Sequence, residues 1–384
     1  LVKSTFVNRS NQDFKITKIE FPTLKLDSIV DKELTNNNPV TIESNLKIPE
    51  AYSIAQPYWL AKESSKGLFN VTDTRMIGLA ENPPPIPVNI YISYYGRELE
   101  FTLPLLFRWN DRVDGEKYRP FEIRPTVTSN LTEKVAVFTD DKPKEIQVRL
   151  KSNAANIEGF IHFEKTDGWK ISPEQIPFKL ENKYDEKLIS FTVTPPKNQS
   201  ETDLKIITNV NGNEFDKSLI EISHPHIVPQ VYFPKSEIKL VKLDVIKFAS
   251  KIGYIMGSGD DVPACLSNMG YDVTLITDEM LESNNLSRFD AIITGVRAYN
   301  TRERLKYAQA KLLDYVKNGG TLIQQYNVAF GLQTQELGPY PFRLSQDRIT
   351  DEDAKMNFVN PQHHLLNSPN KITNKDFDGW VQER

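Results

Sequence analysis

The pattern of an α/β domain begins at Lys251-Ile252-Gly253-Tyr254-Ile255-Met256, a short apolar run followed by the loop Gly257-Ser258-Gly259-Asp260-Asp261. The apolar run predicts a buried strand. Apolar residues then recur at the i, i+3, i+4 and i+7 spacing of one helix face, at Val262, Cys265, Leu266 and Met269. The chain is therefore predicted to run here from strand through loop to helix.

The alternation of strands and helices continues towards the end of the chain. A helical stripe runs from Leu305 to Val316 and stops at Gly319-Gly320. Further strands are predicted at Asp272–Ile276, Phe289–Thr294 and Thr321–Tyr326. Alternation of this kind predicts a doubly wound parallel sheet of flavodoxin type over residues 246–384, whose ligands bind outside the carboxyl ends of the strands.

Apolar residues recur with a different period before residue 245. Runs such as Val88–Tyr94, Glu145–Leu150 and Leu188–Val193 alternate apolar and polar residues, which favours antiparallel sheets with one buried face. Turn pairs such as Asp114-Gly115 separate these runs. We therefore predict two all-β sandwiches of immunoglobulin-like type, over residues 1–122 and 123–245, before the α/β domain.

Composition excludes several classes of partner. The chain has 384 residues, with 47 Lys and Arg against 51 Asp and Glu, so its formal charge of −4 provides no field for nucleic acid. No run approaches the about 18 apolar residues of a membrane span. Because the sequence opens at Leu1 without a Met or a signal-like segment, we expect a piece of a longer protein.

Several motifs resemble large bacterial deacetylases of the PIG-L (LmbE-like) family. Those motifs are Gly295–Asn300, Gly319–Asn327, Pro339–Leu344 and Asp376–Arg384, with Pro57–Leu60, Gly78–Pro84 and Gly115–Pro120 upstream. The resemblance implies a zinc-dependent N-acetyl-sugar deacetylase domain amino-terminal to these residues. It also implies a last domain similar to class I glutamine amidotransferases and to the ThuA-like group, here with the possibility of truncation.

The metal motif of that family has no match in these residues. The family binds zinc through Pro-His-Pro-Asp-Asp, and the nearest string, Ser223-His224-Pro225-His226, lacks both aspartates. The two histidines could share a metal or could lie in a linker without one. We expect no cofactor in this chain and expect the zinc in the deacetylase domain outside it.

The amidotransferase nucleophile has no match either. That family places a cysteine at a tight turn after a strand, and the corresponding segment here, Leu322–Phe330, contains neither Cys nor Ser. Cys265 is expected to be buried and inert, because it lies on the apolar stripe of the first helix. The chain itself is therefore not expected to be an enzyme.

Polar and aromatic residues lie at the predicted strand ends. Asp260 and Asp261 could hold a ligand or cap the next helix, and Arg343 could bind a carboxylate or a hydroxyl group. Aromatic faces here could accept sugar rings. The candidate binding residues are Asp260, Asp261, Arg297, Tyr299, Asn300, Arg302, Asn327, Tyr340, Arg343 and His363.

We predict a non-catalytic region that positions a glycan or N-acetylated sugar, or positions the attached catalytic domain. The habit of the family implies export from a bacterial cell. One alternative is a hydrolase in which Asp260 or Asp261 acts as base and His363 as acid. A third possibility is a flavodoxin-like cofactor binder, which would give a yellow protein.

Overall fold

A computed structural model describes residues 1–49, 52–65, 67–247, 249–283, 285–351 and 353–379. The described residues are rich in β structure and form several separate sheets. None of the helices among them is long and apolar enough to cross a membrane. Residues 380–384, which contribute to the carboxyl-terminal motif, lie outside the described residues.

The first region, up to residue 122, is built around one four-stranded antiparallel sheet in the order β3-β2-β5-β6. A β1-β4 ribbon supplies Phe6, Val40 and Ile42, which pack against its core. A second ribbon, β7-β8, forms a hairpin. The strands are β1 (Val2–Phe6), β2 (Phe14–Phe21), β3 (Leu26–Leu34), β4 (Val40–Ser44), β5 (Pro87–Tyr94), β6 (Arg97–Pro104), β7 (Leu106–Asp111) and β8 (Gly115–Pro120), with short 3-10 turns at Pro22–Leu24 and Thr74–Met76.

This arrangement differs from the predicted pair of full sheets. Within the described part of residues 45–86, the chain forms one 3-10 turn and an isolated bridge between Ser65 and Leu68, and adds no strand to a second sheet. Pro83-Pro84-Pro85 lies at the end of that segment, and proline cannot donate to a β-ladder. The ribbon therefore covers the sheet where a full second sheet was expected.

The middle region has two sheets that share one core, which is the layering of a β-sandwich. One sheet runs β10-β20-β16-β12-β14, with β17 beside β16, and the other runs β13-β15-β11-β9. Ile161 and Ile206 of the first sheet are as deeply buried as Val148 and Phe191 of the second. The strands are β9 (Val127–Leu131), β10 (Val135–Phe138), β11 (Lys144–Ser152), β12 (Ile157–Phe163), β13 (Lys170–Ser172), β14 (Ile176–Leu180), β15 (Glu186–Thr194), β16 (Ser200–Val210), β17 (Asn213–Phe215) and β20 (Glu237–Lys242), while β18 (Ile220–Ile222) and β19 (Gln230–Tyr232) form a separate ribbon.

The last region has the predicted alternation of strands and helices. The four strands that its described residues form are all parallel, in the spatial order β22-β21-β23-β24. The helix predicted from Leu305 ends where expected, and Gly319 after it has a left-handed φ of 93°. The elements are β21 (Lys251–Ile255), α1 (Val262–Asn268), β22 (Asp272–Leu275), α2 (Asp278–Glu282), β23 (Ala291–Thr294), α3 (Ala298–Thr301), α4 (Leu305–Lys317), β24 (Thr321–Gln324) and α5 (His364–Asn367), followed by a 3-10 turn at Asn374–Phe377.

Helices cover both faces of this parallel sheet. Ile255 and Ile292 face a core that contains Leu312 of α4, whereas Tyr254 and Ile293 face Leu266 of α1. The side chain of Lys144 joins α1 to the middle region, because its Nζ donates to the carbonyls of Val137 at 2.5 Å and Asn268 at 3.0 Å. Burial lowers the pKa of that lysine.

Cys265 corrects one expectation from the sequence. Its side chain is exposed, although it lies on the predicted apolar stripe. Helix α1 has only seven residues, and Val262 and Leu266, four residues apart, are the ones that pack against the sheet. Cys265 therefore lies to the side of the contact, and Met269 lies beyond the end of the helix.

Candidate functional site

The carboxyl ends of the parallel strands form a rim, and Asp260 lies at its centre. Asp260 Oδ1 accepts hydrogen bonds from the hydroxyl of Tyr254 at 2.5 Å and from the amide of Val262 at 3.1 Å, and Oδ2 accepts from the amide of Val296 at 3.3 Å. The carboxylate thus ties the loop after β21 to the loop after β23. Asp261, its neighbour, is exposed and makes no side-chain capping bond to α1.

Gly257 lets these two loops approach closely. A Cβ at this position would lie 2.1 Å from the carbonyl oxygen of Val296, well inside van der Waals contact. The next amide, that of Ser258, donates to the same carbonyl at 2.8 Å. The glycine is therefore required by the close contact between the two loops.

Tyr254 and Gln325 complete the centre of the rim. Tyr254 is fully buried, and Gln325 Nε2 donates to its hydroxyl at 2.8 Å. Burial first, and then the hydrogen bond to Asp260, raises the pKa of the phenol well above its usual range. Sequence reasoning missed both residues, because Tyr254 lies inside an apolar run; a tyrosine at the end of a buried strand is the signal that could have found it.

Tyr299 is a buried residue beneath the rim, and its hydroxyl is hydrogen-bonded to two glutamines. Its hydroxyl donates to Gln309 Oε1 at 2.8 Å and accepts from Gln324 Nε2 at 3.2 Å. Burial raises the pKa of Tyr299 to about 12. Arg297, two residues earlier, has a left-handed φ of 57°, and its amide donates to the carbonyl of Tyr326 while its side chain is exposed.

Asn300 and Asn327 fasten the loop that follows β24. Asn300 Nδ2 donates to the carbonyls of Val328 and Phe330 at 2.9 and 3.0 Å, and its Oδ1 accepts from the amide of Val328 at 3.1 Å. Asn327 Oδ1 accepts from the amide of Tyr299 at 3.0 Å. The backbone of the loop is fixed, yet the side chain of Phe330 is 91% exposed.

Arg302 lies at one end of the rim, in an open cleft of about 460 Å³. Its guanidinium is paired with Asp278, and the neighbouring Arg304 pairs with Glu282 at 3.3 Å. Tyr307, at the start of α4, also lines the cleft. Asp278 and Tyr307 were not predicted, because they lie inside helix-like patterns that carry no motif.

Three predicted residues lie apart from this network. Tyr340 and Arg343 are exposed, and His363 Nδ1 accepts from the amide of Leu365 at 3.3 Å, at the start of α5. Within the described ranges, no hydrogen bond or ion pair joins any of the three to Asp260, Asn300 or Asn327. Asp260 and His363 are therefore not hydrogen-bonded as an acid and base pair.

His224 and His226 lie in the connection between the paired strands β18 and β19, and not in a linker before the α/β domain. The rings of His224 and His226 are stacked, with their centroids 5.9 Å apart. Across the part of the chain that the structure describes, no three His, Cys, Asp or Glu side chains are grouped so that they could hold a metal ion.

Comparison with known proteins does not assign the chain to a family. No family model and no curated protein matches the chain. One similar solved structure is a family 123 glycoside hydrolase from Clostridium perfringens, described in relation to glycolipid glycan hydrolysis; it is 8% identical over 44% of this chain and 38% of that one, with a TM-score of 0.19. At that score the likeness carries no argument about fold or function.

Proposed function

We propose that this chain is a non-catalytic accessory region of a PIG-L/LmbE-type N-acetyl-sugar deacetylase and that it positions a glycan for a catalytic domain outside these residues. The family motifs in the sequence support the assignment to that kind of parent. We further propose that residues 246–384 are a flavodoxin-like, amidotransferase-like domain. The parallel strand order β22-β21-β23-β24 supports this, since it is the order found at the start of flavodoxin-type sheets.

One observation carries the proposal: exposed aromatic rings stand on a rim whose backbone is fixed. Tyr326 is 61% exposed and Phe330 is 91% exposed, and both lie in the loop that Asn300 and Asn327 fasten. A flat aromatic face packs against the C–H face of a sugar ring, and a pre-fixed loop loses little entropy on binding. Such a rim suits recognition of a sugar.

The polar side chains of the rim support positioning over bond breaking. Both carboxylate oxygens of Asp260 accept hydrogen bonds from the protein. The side-chain amide of Asn300 both donates to and accepts from the backbone of Val328, and the guanidinium of Arg302 is paired with Asp278. A general base must reach a substrate proton within hydrogen-bond distance. These groups already stabilise the loops, so we assign them a structural role beneath the aromatic surface.

Calorimetric titration with N-acetylated saccharides, beginning with tri-N-acetylchitotriose, tests the proposal. We expect measurable binding that Phe330→Ala weakens by about tenfold, because the ring supplies the stacking face. Tyr95→Ala is the matched control, since Tyr95 is exposed like Phe330 but lies in the β5-β6 turn of the first region. No heat of binding across a panel of N-acetylated saccharides would refute a glycan role.

A further inference from the structure

The β7-β8 hairpin of the first region borders a second, smaller cleft. The cleft has a volume of about 140 Å³ and lies between the hairpin and the turn that joins β14 to β15. Its lining includes Phe107, Arg119, Arg124, Asn153, Lys183 and Tyr184. None of these residues belongs to the rim of the parallel sheet.

One wall of the cleft continues into an aromatic platform. Phe107 and Trp109 point to the same face of β7, and their rings are near-parallel, with centroids 5.9 Å apart and an interplanar angle of 22°. Phe107 is 42% exposed and Trp109 is 37% exposed. Arg119 pairs with Phe107 across the hairpin and therefore lies on the same face. The platform thus offers two flat rings with a cation beside them.

The opposite wall is a tyrosine in an unfavourable backbone conformation. Tyr184 has a left-handed φ of 74°, which bulky residues rarely adopt and glycine adopts without strain. The turn is held by Asp185, whose carboxylate accepts from the amides of Glu181 and Asn182. Tyr184 is 47% exposed in the cleft. An aromatic residue in a strained backbone conformation that suits glycine indicates that its ring has a function, here in ligand binding.

One cation beside the cleft has no ion-pair partner within the described residues. Arg119 and Arg124 both pair with Glu122, and Arg124 also pairs with Glu221 at 2.7 Å. Lys183 adds a third cation, with Nζ 4.8 Å from the centre of the Tyr184 ring. The two arginines are paired with glutamates, whereas Lys183 makes no ion pair within the described part of the chain, so its positive charge is left without a partner. A phosphate group carries about −1.5 to −2 at neutral pH and would overcompensate this charge, whereas one carboxylate matches it.

Two buried polar atoms on the lining side chains lack partners. Arg119 Nε and Asn153 Oδ1 are buried without a hydrogen bond, one a donor and the other an acceptor. Buried polar atoms without a partner are uncommon in folded proteins. A hydroxyl can donate and accept, so a ligand rich in hydroxyl groups could satisfy both atoms after a small side-chain shift.

We propose that this cleft binds one acidic sugar unit of a glycan, with its ring between Tyr184 and the Phe107–Trp109 platform and its carboxylate beside Lys183. The inference rests on the proposed function in one respect, that the chain meets glycans. It adds a second site, remote in sequence from the rim, and names uronic-acid-type sugars as its ligand class.

The probe is trigalacturonate, with neutral galactotriose as the matched saccharide, titrated calorimetrically against the whole chain. We expect trigalacturonate to bind at least tenfold more tightly than galactotriose and to weaken as salt rises. Tyr184→Gly should reduce binding of trigalacturonate about tenfold without lowering the melting temperature, because it removes the ring and relieves the backbone. Phe107→Ala should have a similar effect on binding.

Four outcomes would overturn the inference: no binding of trigalacturonate, equal binding of galactotriose, full binding by Tyr184→Gly and Phe107→Ala, or equal competition by hexaglutamate. The last would indicate an acidic peptide as the ligand. The rim variant Phe330→Ala separates this inference from the proposed function. If tri-N-acetylchitotriose binds in a way that depends on Phe330 while trigalacturonate does not bind, only the second site is refuted. If trigalacturonate binds and tri-N-acetylchitotriose does not, only the role of the rim is refuted.

Discussion

The rim of the parallel sheet and the cleft beside the β7-β8 hairpin both expose aromatic rings, but they differ in how fully their polar side chains are hydrogen-bonded. At the rim, the side chains of Asp260 and Asn300 are hydrogen-bonded to other groups of the protein. At the hairpin, Phe107 and Trp109 remain exposed, and Arg119 Nε is buried without a partner. Polar residues at strand ends can therefore be structural, and side chains with unused contact capacity are better markers of a binding surface.

The largest expected effect is at the rim, where Gly257→Ala should destabilise the chain by about 3 kcal/mol. The added methyl group would lie 2.1 Å from a backbone oxygen that cannot move without the loop after β23. Urea denaturation measures the change, and Ser258→Ala is the control, because Ser258 is adjacent and exposed. Equal stability of the two variants would show that the loops are not in close contact.

Next in size, Tyr254→Phe should cost about 2 kcal/mol, because it leaves Asp260 and Gln325 without their shared partner. Tyr307→Phe is the control, since Tyr307 is exposed. Unfolding by urea at neutral pH gives both values. A loss as small as that of the control would contradict a structural role for this network.

The same variant should change the response to alkali. The folded-state pKa of Tyr254 lies above its ordinary value of 10.0, so the neutral phenol is favoured by folding. Its contribution to stability is therefore full below pH 10 and is lost as pH rises above that value. Above pH 10, the free energy of unfolding of the wild type should fall more steeply with pH than that of Tyr254→Phe. Tyr299, with a pKa of about 12, contributes equally to both proteins. Parallel plots of unfolding free energy against pH would contradict a raised pKa of Tyr254.

The sequence was informative where a pattern depends on local period. The run at Lys251 and the glycines after α4 predicted β21 and the end of α4, because burial of a strand and termination of a helix are local properties. Sequence patterns did not predict the features that depend on tertiary contacts. The exposed side of α1 at Cys265, the missing second sheet of the first region and the Tyr254–Asp260 bond depend on which faces meet in space.

A smaller effect is expected from Asn300→Ala, which should destabilise the chain by about 1 kcal/mol and weaken the binding of tri-N-acetylchitotriose. The variant frees the loop that carries Phe330, so the aromatic ring is no longer fixed before binding. Asn285→Ala, at an exposed position, is the control. Stability and binding are measured on the same preparations, and unchanged binding would mean that the loop need not be fixed.

The smallest effect on stability belongs to the hairpin. Trp109→Ala should change the free energy of unfolding by only about 0.5 kcal/mol, because its ring is partly exposed at the surface of a two-stranded ribbon. It should nevertheless weaken trigalacturonate binding. A large loss of stability instead would identify Trp109 as a packing residue and remove the contrast with the rim.

We propose that this chain binds saccharides without breaking their glycosidic or N-acetyl bonds. The most direct test is to incubate tri-N-acetylchitotriose and trigalacturonate with the chain overnight, to recover both saccharides and to determine their masses by mass spectrometry. We predict a heat of binding and saccharides of unchanged mass. Release of smaller sugars or of acetate that is lost in Asp260→Asn or His363→Ala would show instead that the chain is a hydrolase.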